Sequence, residues 1–168
     1  FFEYVLDTAK IARKKGLKNI FVTNGFINKE PLMELCPYID GFHVDLKGFS
    51  EKFYRDVCSA RLQPVLETLK ILSEEGKWFE IINLVIPTLN DDPKMIRSMC
   101  EWIKKELGTD YPIHFSRFFP EYRMLHISPT PLETLERAAR IAADAGLKYI
   151  YIGNVAGRED NTYCPECG

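Results

Sequence analysis

Apolar residues follow two alternating spacings along the chain. In some stretches they recur every three or four residues, and between these stretches they form short continuous runs bounded by glycine, proline or asparagine. Apolar residues at every third or fourth position are typical of one face of a helix, and short continuous apolar runs are typical of a buried strand. Helices are predicted over residues 2–15, 29–36, 50–58, 62–75, 93–107 and 131–145, and strands over residues 19–23, 42–46, 79–86, 113–118 and 148–153.

Two of the predicted helices have a proline at their first position. Asp92 precedes Pro93, and an aspartate directly before such a proline is a favourable N-cap. Thr130 precedes Pro131 in the same way, with the acidic residue Glu133 following two positions later. The pattern therefore predicts Asp92 and Thr130 as N-caps.

The regular alternation of strands and helices predicts an α/β fold with a parallel sheet, either open and doubly wound or part of a (β/α) barrel. Along the second strand, His43, Asp45 and Lys47 fall on one face and apolar residues on the other. A sheet covered by helices on both sides would be apolar on both faces, so one ionisable face favours the inside of a barrel. Asn83 in the third strand and His114 in the fourth are expected to extend this polar pattern.

Composition and charge exclude several functional classes. A chain of 168 residues that is 46% hydrophobic can bury the core of one domain. Its 22 basic and 24 acidic residues are scattered, so no basic patch predicts nucleic-acid binding. No apolar run is long enough to span a membrane and there is no signal peptide, which predicts a cytoplasmic protein without a membrane partner. Because the first residue is Phe1 rather than methionine, we expect a piece of a longer protein.

The five cysteines do not form the framework of a secreted, disulfide-bonded domain. Three of them stand singly in helical stretches, whereas Cys164 and Cys167 lie together in Cys164-Pro165-Glu166-Cys167-Gly168. This spacing is typical of a zinc knuckle, in which a turn presents two thiolates to one metal ion. Two free thiols on a loose tail are an equally good interpretation. If zinc binds here, its other ligands must come from another segment or another chain.

Polar residues at two strand ends could form a ligand site. Asp45 and Lys47 could bind an amino-acid zwitterion, with the lysine on the carboxylate and the aspartate on the ammonium, on a hydroxyl or on a bridging cation. The alternative is an ion pair at a barrel rim. Thr23, Asn24 and Gly25 offer a hydroxyl, an amide and a turn at the end of the first strand, and the alternative there is a simple strand-to-helix turn.

Four blocks stand in order along the chain. They are Thr23-Asn24-Gly25-Phe26, Asp45-Leu46-Lys47, Val85-Ile86-Pro87-Thr88-Leu89-Asn90-Asp91-Asp92 and His114-Phe115-Ser116-Arg117-Phe118-Phe119-Pro120. In this order they resemble the later part of a radical S-adenosylmethionine enzyme, and the resemblance covers nearly the whole chain. The chain is most similar to the pyruvate formate-lyase-activating-enzyme-like proteins of the AmmeMemoRadiSam system. Residues 161–168 also resemble the C-terminal signature of that group.

The resemblance implies a partial (β/α)6 TIM-like barrel of radical SAM type that is incomplete, because its first strands are missing from this chain. Residues 1–153 would form the later βα units, and residues 154–168 a polar tail. The implied activity is that of an oxidoreductase, which binds S-adenosylmethionine beside a [4Fe-4S] cluster. It would generate a 5'-deoxyadenosyl radical for hydrogen abstraction, as in the activation of glycyl-radical enzymes.

In the activating enzymes, the lysine of the Asp-Leu-Lys block contacts the methionine carboxylate of the cofactor, so the resemblance implies this role for Lys47. Asp45 is the neighbouring polar group, and the block at the preceding strand end adds two more residues. Strand parity adds Asn83 and His114. The expected cofactor-binding residues are therefore Thr23, Asn24, Asp45, Lys47, Asn83 and His114, and no catalytic residue is assigned.

The chain also departs from the activating enzymes. They have an acidic residue where this chain has Val22, and a histidine near the position of Tyr122. The Cys-x-x-x-Cys-x-x-Cys cluster loop and the Gly-Gly-Glu strand of these enzymes are absent. We therefore expect the cluster ligands in a missing N-terminal segment or another chain, and expect this chain alone to be inactive. The substrate is expected to be a protein or a small molecule.

Two further interpretations stay open. The chain could be a non-catalytic binding or scaffold module whose zinc-binding Cys164 and Cys167 tail docks a partner. It could also be a barrel enzyme of aldolase type, in which the Lys47 amine forms a Schiff base with the substrate.

Overall fold

In the described part of the chain, five parallel strands form one sheet and lie side by side in the order in which they occur in the chain. The computed structural model describes residues 1–157, 161–164 and 167. The strands are β1 (Ile20–Thr23), β2 (Gly41–Asp45), β3 (Phe79–Val85), β4 (Ile113–Arg117) and β5 (Ile150–Gly153). The helices are α1 (Phe2–Lys14), α2 (Lys29–Leu35), α3 (Glu51–Cys58), α4 (Leu62–Glu74), α5 (Pro93–Glu106) and α6 (Leu132–Ala145), with short 3-10 turns at Cys36–Tyr38 and Tyr122–Met124. The predicted α/β class with a parallel sheet is confirmed.

Side-chain caps determine where two of the helices begin. The Asp92 carboxylate accepts a hydrogen bond from the backbone N–H of Lys94 at 3.0 Å, which confirms the predicted N-cap of α5. Ser50 caps α3 in the same way, because its hydroxyl accepts from the N–H of Phe53 at 3.1 Å. Among the described helices, none is both long and apolar enough to cross a membrane.

Thr130 does not cap α6, so that prediction is wrong. The helix begins at Leu132, and no side chain caps its first turn. The Thr130 hydroxyl instead accepts from the N–H of Phe118 at 3.0 Å and donates to the carbonyl of Val85 at 2.6 Å. A buried hydroxyl with partners on two neighbouring strand ends joins β3 to the segment that follows β4.

The two faces of the sheet differ in polarity. One face packs against the helices and holds buried residues such as Phe42, Phe79 and Phe115. The other face, here called the open face, contains the residues that alternate with them. Its polar members in the described strands are His43 and Asp45 of β2, Glu80 of β3, His114 and Ser116 of β4, and Tyr151 of β5.

Asn83 lies on the helix-covered face, so the prediction that it extends the polar face is wrong. It is paired in register with Phe115, and its side chain is buried. Its Nδ2 donates to the carbonyl of Leu46 at 2.8 Å and lies 3.8 Å from the sulfur of Met99. A ligand on the open face would therefore not contact Asn83.

β1 forms an edge of the sheet in the described part of the chain, where it pairs only with β2. Its residues Ile20 and Val22 are 65% and 66% exposed. Exposed apolar residues on an unpaired edge strand mark a place where another strand can add. The sheet is thus open at this side, as in a partial barrel.

Candidate cofactor-binding site

Thr23 and Asn24 form a tight turn at the carboxyl end of β1. The Thr23 hydroxyl accepts from the N–H of Gly25 at 3.1 Å, and the Asn24 Oδ1 accepts from the N–H of Phe26 at 3.0 Å. The carbonyl of Gly25 accepts from the buried Thr68 hydroxyl of α4 at 2.8 Å. These contacts stabilise the turn and place Asn24 beside the end of β2.

Gly25 is required in this turn for two reasons. Its φ of 69° is in the left-handed region, and an added Cβ would lie 3.0 Å from a methyl group of Val44 and of Val65. Gly76 has a similar φ of 62°, but an added Cβ there would meet no atom within 4 Å. Gly76→Ala is therefore a matched control that tests backbone strain alone.

We expect Gly25→Ala to lower the free energy of unfolding by about 2–4 kcal/mol, because left-handed strain and overpacking add together. Gly76→Ala should cost only about 1 kcal/mol. Urea denaturation followed by circular dichroism would measure both changes. Equal losses in the two variants would contradict the packing argument.

Asp45 and Lys47 form an ion pair at the carboxyl end of β2. The Lys47 Nζ lies 2.8 Å from the Asp45 Oδ2, and the two side chains are 39% and 29% exposed. The exposed part of the pair leaves donor and acceptor atoms for a ligand. This geometry agrees with both sequence interpretations, a ligand site and a rim ion pair, and it brings together two of the six residues expected to bind the cofactor.

The main chain at the end of β2 is held by side chains from outside that strand. The carbonyl of Leu46 accepts from the Asn83 amide at 2.8 Å. The N–H of Lys47 donates to the Tyr54 hydroxyl at 3.1 Å, and the carbonyl of Lys47 accepts from the Asn90 amide at 2.6 Å. The position of Lys47 therefore depends on Tyr54, seven residues away in sequence, and on Asn90, 43 residues away.

Sequence reasoning did not identify Tyr54 and Asn90 as site residues. Asn90 lies in the block 85–92, one of those that resemble radical S-adenosylmethionine enzymes, and this was the available signal. Tyr54 gives no signal in the sequence, because an aromatic residue in a helix is ordinarily a core residue. Burial raises the pKa of the Tyr54 hydroxyl, so it is neutral when it accepts the hydrogen bond.

An apolar cavity of about 320 Å³ opens beside Lys47. Asn24 and Lys47 contribute polar groups, and the apolar part of its wall comes mainly from α3 and from the ends of β3 and β4. Small-molecule sites are commonly apolar clefts with a few polar groups that orient the ligand. The other residues that line the cavity beside Lys47 are Phe26, Phe53, Tyr54, Val57, Cys58, Ala60, Val65, Leu84, Ile86, Phe118 and Met124.

His114 belongs to a different cluster on the open face. Its Nε2 lies 3.1 Å from a carboxylate oxygen of Glu80, and its ring stacks on Tyr151 with centroids 4.8 Å apart. The Tyr151 hydroxyl is 2.6 Å from the Thr162 hydroxyl of the C-terminal tail. These residues line a second cavity, which has no lining residue in common with the cavity beside Lys47. His114 thus lines a different cavity from Lys47, although it shares the open face with Asp45 and lies in register with it two strands away.

The described cysteines do not form a site for an iron-sulfur cluster. Cys36 and Cys100 are buried, and burial raises the pKa of the Cys100 thiol to about 12. Cys164 and Cys167 are exposed, while Pro165, Glu166 and Gly168 of the expected zinc knuckle lie outside the described residues. No group of three or more His, Cys, Asp or Glu residues could hold a metal ion within the described part of the chain.

Two related sequences cover most or all of this chain. An uncharacterized protein of Methanocaldococcus jannaschii is 47% identical over 169 aligned positions, and the alignment covers 100% of this chain and 50% of that protein. The pyruvate formate-lyase 1-activating enzyme of Escherichia coli is 24% identical over 162 aligned positions, and the alignment covers 89% of this chain and 65% of the enzyme. The chain therefore spans about half to two thirds of the length of these relatives.

The fold is similar to that of a solved activating-enzyme domain. A domain of the pyruvate-formate lyase-activating enzyme from Bacteroides vulgatus superposes with a TM-score of 0.79 and 20% identity, covering 91% of both chains. This likeness confirms the predicted partial barrel. The sequence model of the radical SAM superfamily matches residues 1–103, which are more than half of the chain. This chain belongs to the radical SAM superfamily.

Proposed function

We propose that this chain is the S-adenosylmethionine-binding part of a radical SAM enzyme of the activating type. The observation that supports this most directly is the Asp45–Lys47 ion pair, partly exposed beside an apolar cavity at the carboxyl ends of the strands. In barrel enzymes, ligands bind at this end of the sheet. The similarity to pyruvate formate-lyase 1-activating enzyme favours the activating class.

The residues at this strand end match the methionine part of S-adenosylmethionine. The Lys47 ammonium would donate to the carboxylate, and the Asp45 carboxylate would accept from the amino group while it holds the lysine in place. The cavity wall next to them would exclude water from the ligand. When bound beside a reduced iron-sulfur cluster, S-adenosylmethionine supplies a 5'-deoxyadenosyl radical that abstracts hydrogen from a protein or a small-molecule substrate.

The described cysteines do not fit the cluster itself, so its ligands would have to come from outside the described residues. We also propose that residues 1–153 form the later βα units of the barrel and residues 154–168 a polar C-terminal tail. An aldolase-type use of Lys47 has less support. Schiff-base lysines lie in apolar enclosures or beside another cation, whereas Lys47 is partly exposed and paired with a carboxylate.

Iron analysis of the full-length protein that contains this chain would test the proposal. After anaerobic reconstitution we expect about four irons per chain, as in a [4Fe-4S] cluster, and a change in the electron paramagnetic resonance spectrum when S-adenosylmethionine is added. The matched sample is the same protein with S-adenosylhomocysteine, which lacks the transferable methyl group. Absence of iron, or a cluster that does not respond to S-adenosylmethionine, would overturn the proposal.

A further inference from the structure

The peptide groups of Lys47 lie beyond the hydrogen bonds of the sheet. β2 ends at Asp45, so the ladder with β3 does not include Lys47. Buried main-chain groups outside a ladder need partners from side chains or water. Here both partners are side chains, since the N–H of Lys47 donates to Tyr54 and its carbonyl accepts from Asn90.

Asn90 makes three hydrogen bonds in a buried position. Besides the bond to Lys47, its Nδ2 donates to the carbonyl of Leu84 at 2.8 Å, and its Oδ1 accepts from the N–H of Ile86 at 2.6 Å. The residue is only 2% exposed. A single amide thus joins the segment after β2 to the end of β3, with both its donor and its acceptor groups used.

Tyr54 reaches Lys47 from the other side. It lies in α3, whose first turn is fixed by the Ser50 cap, and its ring packs edge-on against Phe53 with centroids 6.1 Å apart. The side chain is buried and its hydroxyl oxygen accepts from the N–H of Lys47. The helix and the loop after β3 therefore hold the same residue from two directions.

We propose that Tyr54 and Asn90 are positioning residues, which fix the main chain of Lys47 so that its ammonium stays beside Asp45 where the cofactor carboxylate binds. Lysine has a long flexible side chain, so the place of its charge depends on how firmly its backbone is held. This inference rests on the proposed function, because it assigns the carboxylate of S-adenosylmethionine to Lys47. Neither residue needs to contact the cofactor.

Thr130 offers a matched control. Its buried hydroxyl also joins two strand ends through two main-chain hydrogen bonds, but these involve Phe118 and Val85 and not Lys47. Thr130→Val and Asn90→Leu both replace a buried polar bridge by an apolar side chain. Both should lower the free energy of unfolding, whereas only Asn90→Leu should affect a ligand bound to Lys47.

The test is binding of S-adenosylmethionine to the full-length, cluster-loaded protein, measured by isothermal titration calorimetry. We expect Asn90→Leu to weaken binding about tenfold and Tyr54→Phe several-fold, which corresponds to the loss of one or two hydrogen bonds that hold the lysine. Thr130→Val should leave the affinity unchanged. In the Lys47→Met background, Asn90→Leu should cause little additional weakening, because residues that act through one another are not additive.

Three results would overturn the inference. These are full additivity of Asn90→Leu with Lys47→Met, equal weakening by Thr130→Val, and unchanged affinity in both Asn90→Leu and Tyr54→Phe. If Lys47→Met itself leaves binding unchanged, the proposed role of Lys47 in cofactor binding fails and the inference fails with it. If Asn90→Leu does not fold, the affinity of Tyr54→Phe for S-adenosylmethionine tests the inference alone.

Hydrogen exchange at the Lys47 amide is a second measurement, which needs no cofactor. We expect faster exchange in Tyr54→Phe but not in Thr130→Val.

Discussion

Replacing Lys47 with methionine is expected to weaken the binding of S-adenosylmethionine by about ten- to a hundredfold, the usual value of a hydrogen bond to a charged group. Methionine keeps most of the apolar stem and removes the ammonium. The Asp45 carboxylate, 2.8 Å from that ammonium in the native protein, would then be left beside the cofactor carboxylate and would repel it. Titration calorimetry of the full-length, cluster-loaded protein would measure the change.

Lys52 provides the control for this charge. It lies on α3, its side chain is 81% exposed, and its Nζ is 2.9 Å from an Asp56 oxygen. Lys52→Met removes the same charge from an exposed i,i+4 pair, so the affinity for S-adenosylmethionine should stay within error of the native value. A similar loss in both variants would show that net charge, and not the position of Lys47, determines binding.

Replacing Phe79 with alanine is expected to lower the free energy of unfolding by about 3–5 kcal/mol, the range for removing a buried aromatic ring. Phe79 is fully buried at the start of β3 and is paired in register with Phe42. Its ring stacks on Tyr111 with centroids 3.9 Å apart and an interplanar angle of 14°. The loss would combine a cavity in the core with the loss of this contact, and urea denaturation would measure it.

Trp78 is the matched control, because it precedes Phe79 directly and also approaches Tyr111. Its side chain is 53% exposed, and its ring is tilted by 45° with centroids 6.4 Å apart. Trp78→Ala should therefore cost less than about 1 kcal/mol. If the tryptophan variant lost as much stability as Phe79→Ala, the covered face would not be the main source of stability in this part of the sheet.

The sequence predicts strands and helices well here because continuous apolar runs are easily distinguished from apolar residues spaced three or four positions apart. It fails for Asn83, because the strand residues on either side of it are apolar. On the open face β3 contains Ile82 and Leu84, so alternation does not indicate which face is polar. Asn83 can be buried because its amide donates to the carbonyl of Leu46. This partner lies 37 residues away in the chain, so the local sequence pattern does not predict it.

Thr130 illustrates a second limit. Thr-Pro-Leu-Glu has the local features of a helix N-terminus, but the threonine hydroxyl bonds to two strand ends, one of them 45 residues away.

The candidate site was predicted in part. The sequence places Asp45 and Lys47 on one face of a strand, and the structure shows them paired. The block 85–92 marks the neighbourhood of Asn90, but the contacts that Asn90 and Tyr54 make with Lys47 could not be predicted, since they are to main-chain atoms that any sequence presents.

The order of the strands affects how the sheet forms. Every pair of neighbouring strands in the described sheet is also a pair of successive strands, so each parallel pairing joins segments separated by a single connection, which contains one or two α-helices. Parallel sheets usually fold slowly, because distant segments must meet before any contact rewards them. In the described sheet, each strand pairs only with the strands directly before and after it in the chain, so its pairing needs no segment made later than its immediate successor. During synthesis the sheet can grow by one strand at a time, with each new strand pairing with the edge left by the previous one.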